Sequence, residues 1–73
     1  MEVQAIKVMS WVNANLPPLS WNIIVMQNMK VFMKYNVFPS KIANDTKFNA
    51  EIIATINASI KERYKKELPS TLS

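Results

Sequence analysis

Apolar residues at Val3, Ile6, Met9, Val12 and Leu16 recur at spacings of three and four. That is one stripe of an amphipathic helix, and it predicts a helix over about 2–15. A strand over residues 2–9 is the lesser reading, because it would put Glu2, Gln4, Ile6 and Val8 on one face and Val3, Ala5, Lys7 and Met9 on the other, each a mixture of types. Pro17 and Pro18 stop the segment near Asn15, since a proline ring cannot continue a helix and biases the preceding residue toward extended backbone. From Trp21 to Tyr35 apolar residues cover more than one helical face, which predicts a helix over 21–35 buried on most sides and capped by Ser20. Met26, Met29 and Met33 lie at helical spacing and read as core filling ahead of an adaptable binding groove.

Asn36 to Pro39 reads as a connection, because asparagine accepts the left-handed conformation that closes helices and Pro39 bars a simple continuation. Ser40 then caps a short helix over 40–44, residues 45–48 form a turn, and Asn49 caps a long helix over 50–67. Pro69 ends that helix and leaves 69–73 as a frayed tail. The pattern as a whole predicts an all-α single domain of three to four helices.

Composition narrows the function. The chain has 73 residues and no Cys, His or Gly. A domain near that size buries only about 60% of its unfolded-chain surface, so a dimer or a partner is expected. Without Cys and His there are no disulfides, no thiolate or imidazole metal sites and no histidine acid–base chemistry. Without Gly, phosphate-cradling loops are improbable. Glu2, Asp45, Glu51, Glu62 and Glu67 are scattered and suggest no carboxylate pair for general acid–base work. The expectation is therefore no enzyme, no cofactor and no metal. Trp11 and Trp21 read as anchors of the core or of a dimer contact and not as a base-stacking platform.

A net charge of +4 favours an anionic partner. No stretch approaches the ~18 apolar residues of a membrane span, and Met1 to Leu16 lacks the features of a secretory leader, so a cytoplasmic protein with no membrane partner is expected. Eight Asn, eight Ile and eight Lys suggest an A/T-rich coding sequence and hence a virus or a mobile element such as a plasmid.

Two short helices that cross need a small residue at the crossing and apolar anchors on either side of a tight turn. Ile42 and Ala43 supply the apolar and small positions, Phe48 the apolar turn residue, Asn49 the cap, and Ile53 and Ile56 the buried positions of a second helix. Residues 39–60 thereby resemble a helix-turn-helix DNA-binding unit with 21–35 as its support helix and no wing. Lys47 stands where that family often has glycine, and Thr46 where it has an apolar residue.

The resemblance implies that the helix beginning near Asn49 enters a major groove about 12 Å wide and presents Asn49, Ala50, Glu51, Ala54 and Thr55. No arginine on that face grips guanine. Lys41 and Lys47, with Lys30 and Lys34 on the support helix, would engage phosphates. Lys61, Arg63, Lys65 and Lys66 form the densest basic cluster, which suits phosphates and the carbonyl end of a helix equally. Each lysine taken alone also reads as a solubilising surface charge. The every-fourth-residue stripe Ala50, Ala54 and Ala58 suits close helix packing as well as a DNA face.

The expected function is a homodimeric double-stranded-DNA-binding regulator of transcription or replication. The alternative is a helical module that binds and modulates a partner protein through Met26, Met29, Met33 and the alanine face. A ribbon-helix-helix dimer with residues 2–9 as its strand fits less well, because Pro17 and Pro18 fall inside its first helix. A cationic membrane-active helix also fits less well, because prolines divide the apolar content.

Overall fold

Val3 faces Phe48 and Gln4 faces Lys47 in a short antiparallel pairing that brings the N-terminus against the middle of the chain. The computed structural model describes residues 2–72. In order they form β1 (Val3–Gln4), α1 (Ala5–Asn15), α2 (Ser20–Gln27), α3 (Met29–Lys34), a 3-10 turn (Pro39–Lys41), β2 (Lys47–Phe48), α4 (Ala50–Tyr64) and a second 3-10 turn (Ser70–Leu72). The fold is mainly α with one small two-stranded sheet.

The pairing changes the reading of the first segment. Residues 3 and 4 are strand and not helix, and α1 starts at Ala5, whose N–H donates to the Thr46 carbonyl at 2.7 Å. Its buried line is Ala5, Val8, Val12 and the subsequent Leu16, while the expected Ile6 and Met9 are only half-buried. The helix is thus rotated by about one position from the face its sequence suggests, because Val3 takes its partner from β2. The stop at Asn15 is as expected, with Leu16 extended and its N–H bonded to the Val12 carbonyl.

The single helix expected over 21–35 is broken at Asn28. Asn28 leaves helical geometry (φ −111°, ψ 17°), and its buried side-chain amide donates to the Ile24 carbonyl at 2.7 Å and to Ser59 Oγ at 3.0 Å. An asparagine that bonds the preceding turn competes with the helical ladder, and here it also ties the break to α4. Nor is this stretch buried on most sides: Ile24, Val25 and Phe32 are buried, but Met26 is 73% and Met33 61% exposed, so neither fills the core. Ser20 is not a cap. It is the first residue of α2, its Oγ donates to the Pro17 carbonyl at 2.6 Å, and Leu19 precedes it in the left-handed conformation.

Asn36 is left-handed as expected (φ 57°), with Val37 N–H on the Phe32 carbonyl and Asn36 N–H on the Met33 carbonyl, which closes α3. No α-helix forms over 40–44. Pro39–Lys41 makes one 3-10 turn, Ile42 is extended, and residues 43–46 turn back with Thr46 N–H on the Ala43 carbonyl. Of the two helices expected within 39–60, the structure supplies α4 alone. Pairing with β1 holds residues 47 and 48 straight, and the Thr46 carbonyl just before them accepts from Ala5 N–H.

Asn49 caps α4 as expected, its Oδ1 accepting from Ile52 N–H at 2.9 Å. Ile52, Ile56 and Ile60 carry the buried stripe. The helix ends at Tyr64 and not near 67, because Lys65 adopts the left-handed conformation (φ 58°). Through Leu72 the tail is docked instead of frayed: Leu68 N–H donates to Asn57 Oδ1 at 2.8 Å, and Leu68 and Leu72 pack on the core; Ser73 lies outside the described residues.

Phe48 is fully buried between Trp21, with ring centroids 6.5 Å apart, and Phe32, at 5.5 Å. Truncating Phe48→Ala is expected to cost about 3–5 kcal/mol, and Asn49→Ala about 1 kcal/mol. Urea unfolding followed by circular dichroism checks both, and near-equal losses would contradict the placement of Phe48 at the centre of the core.

Candidate nucleic-acid interface

The exposed face of α4 follows from its buried one. With Ile52, Ile56 and Ile60 turned inward, Ala50, Ala54 and Ala58 stand in solvent and no other part of the described chain covers them. Of the two inner anchors expected for this helix, Ile56 is fully buried and Ile53 half-buried.

Two of the expected base readers are engaged by the protein itself. Glu51 accepts from Lys34 Nζ at 3.2 Å and from the Tyr35 hydroxyl, which ties α4 to the end of α3. Lys34 also lies over the Tyr35 ring, 5.4 Å from its centroid. The Thr55 hydroxyl donates to the Glu51 carbonyl at 2.7 Å and to the Ile52 carbonyl at 3.1 Å, so its proton is spent on its own helix. Asn49 keeps its amide group while its Oδ1 is held as the cap.

The cations divide in the same way. Lys34 is paired with Glu51 and Lys61 with Glu67 at 3.3 Å, and Lys66 donates to the Asn15 carbonyl at 2.8 Å. Lys7, Lys30, Lys41, Lys47, Arg63 and Lys65 are exposed and carry no ion pair among the described residues. Lys41 sits on the 3-10 turn, and Lys47 lies in β2, two residues before the α4 cap. Arg63 is in the last turn of α4 and Lys65 just beyond it. Helix α4 therefore has unpaired cations before its start and at its end, with Arg63, seven residues after Ile56, on the isoleucine side of the helix, whereas Lys30 belongs to α3.

Tyr35 was not visible as a site residue in the sequence. It lies 16 positions from Glu51, and only the α3–α4 contact joins them. The arrangement offers methyl groups and, at the two ends of the helix, positive charge.

No family model matches the chain, and neither a curated protein nor a solved structure was found to match it.

The tyrosine hydroxyl first, and then the lysine, hold the Glu51 carboxyl below the ordinary carboxylate range; the same carboxylate raises Tyr35 and Lys34 above theirs. A depressed acid contributes stability that is present above its unfolded pKa and is lost as pH falls through the folded one. Side-chain carboxyl NMR is expected to show Glu51 titrating below the ordinary carboxylate range, and Tyr35→Phe is expected to move it back up. An unmoved Glu51 in that variant would remove the hydroxyl as the main cause.

Proposed function

We propose that the protein is a small basic DNA-binding protein that lays the exposed face of α4 on duplex DNA, and that it acts as a homodimeric regulator of transcription or replication. The observation that carries this reading is the open alanine face, Ala50, Ala54 and Ala58, on a helix with unpaired Lys41 and Lys47 before its start and Arg63 and Lys65 at its C-terminal end. Small side chains let a helix backbone come close to a groove floor, and alanine methyls suit the thymine methyl. A helix of this length spans about 22 Å, enough to set cations on the phosphates of both groove edges.

With Glu51 ion-paired and Thr55 bonded to its own backbone, Asn49 is the remaining polar reader, through its amide N–H groups. Phosphate contacts then supply most of the affinity, and discrimination between sequences is shallow.

The second reading, a module that binds a partner protein, is favoured by the exposure of Met26 and Met33. It requires no affinity for DNA.

Fluorescence anisotropy with random and A/T-rich duplexes separates the two. Four phosphate contacts give a salt slope near −3.6, so affinity is expected to fall on the order of a hundredfold between about 50 and 200 mM salt. Lys41→Glu with Lys47→Glu is expected to abolish binding at the higher salt. No binding at low salt would overturn the DNA reading and leave the protein-partner one.

A further inference from the structure

The C-terminal tail touches the core at two points and leaves a gap between them. Lys65 turns the chain back along α4, Leu68 N–H docks on Asn57 Oδ1, and a 3-10 turn at Ser70–Leu72 returns Leu72 to the core. Under this strap lies a partly enclosed cavity of about 300 Å³. Val3 of β1, Ile53 of α4 and the tail residues Leu68, Pro69 and Leu72 give it apolar walls. Leu68 and Leu72 are only half-buried, so the tail closes over α4 without filling the space.

Three observations say what fits there. The first is size. An apolar cavity of about 150 Å³ takes a benzene molecule, so this one has room for roughly ten non-hydrogen atoms, at the small end of ligand sites.

The second is a spare donor. Asn57 lines the cavity, its Oδ1 is spent on Leu68 N–H, and nothing among the described residues accepts from its Nδ2. Among the described residues no buried side-chain nitrogen or oxygen lacks a partner, so this amide is reached by solvent. An amide N–H in a mainly apolar pocket selects a ligand oxygen and fixes its orientation.

The third is charge. Glu67 is the one ionisable residue on the described lining, and its carboxylate is already paired with Lys61 Nζ at 3.3 Å. A ligand anion would meet that carboxylate, and a ligand cation would have to displace Lys61 from it. An uncharged molecule fits without breaking the pair.

We propose that this cavity binds a small, uncharged, mainly apolar molecule bearing one hydrogen-bond acceptor oxygen. Its hydrocarbon body lies against Val3, Ile53, Leu68 and Leu72, and its oxygen accepts from Asn57 Nδ2. The proposal does not rest on DNA binding and uses none of the alanines or cations of that reading. Because the walls come from both α4 and the tail, a bound molecule holds the tail docked.

Two probes of similar shape test it: acetophenone, which has a carbonyl oxygen and no donor, and ethylbenzene, which lacks the oxygen. In amide NMR titrations of the whole chain both are expected to shift Ile53, Asn57, Leu68 and Leu72 saturably, acetophenone with a Kd of about 1 mM. The Asn57 side-chain amide is expected to move with acetophenone. Asn57→Asp keeps an oxygen for Leu68 N–H and removes the spare donor. It is expected to weaken acetophenone about tenfold while leaving ethylbenzene within about twofold. Ile53→Phe, which fills the cavity from a half-buried position, is expected to abolish binding of both probes with Tm kept or raised.

The absence of saturable shifts, or shifts centred on the exposed Leu19, Met26 and Met33, would overturn the proposal. So would equal weakening of both probes by Asn57→Asp, or binding that survives Ile53→Phe at an unchanged Tm. None of these readouts involves DNA.

Discussion

Phe48 is the residue on which the rest of the structure depends. It pairs with Val3, stacks with Trp21 and meets Phe32, so one side chain joins β1, α2 and α3 to the start of α4. Because it lies one residue before the Asn49 cap, its burial fixes where α4 begins. Aromatic side chains bury about 150–250 Å² each, and in a domain with so small a core one such group is a large share of the total. The straightening of residues 47 and 48 goes with the same burial.

The absence of glycine gives the other turns their character. Leu19, Asn36 and Lys65 all take the left-handed conformation, and only asparagine does so readily. At Lys65 the cost is offset by the contacts that the chain reversal makes possible, since Leu68 and Leu72 reach the core and Lys61 meets Glu67 across the bend. At Leu19 no burial of the residue itself offsets the cost, since it is among the most exposed apolar side chains of the fold. The buried Asn28 uses its amide N–H groups on the Ile24 carbonyl and Ser59 Oγ, which makes the break between α2 and α3 a packed joint.

Charge is sorted by the fold more than by composition. A net charge of +4 says only that an anionic partner is favoured. The folded chain withdraws Lys34 and Lys61 into ion pairs and Lys66 onto a carbonyl, and leaves Lys7, Lys30, Lys41, Lys47, Arg63 and Lys65 unpaired among the described residues. These are the groups a phosphate would meet without first breaking an internal contact.

Local chemistry in the sequence determined the stop at Asn15, the left-handed Asn36 and the Asn49 cap, because proline sterics and capping bonds act within a few residues; of the buried isoleucines of α4 it gave Ile56, while Ile52 and Ile60 took the place expected for Ile53. It also carried the exclusion of cysteine, histidine and glycine chemistry. Pairings between distant positions lay beyond its range. Val3 with Phe48, Asn28 with Ser59, Glu51 with Tyr35 and Leu68 with Asn57 lie 45, 31, 16 and 11 residues apart. These partners turned a predicted helix start into a strand, broke one helix in two, engaged a base reader and docked a tail. They also left two methionines in solvent that periodicity had placed inside. A sequence pattern shows that a residue is apolar and on a helix, but which side of that helix meets the core is decided only when the other elements arrive.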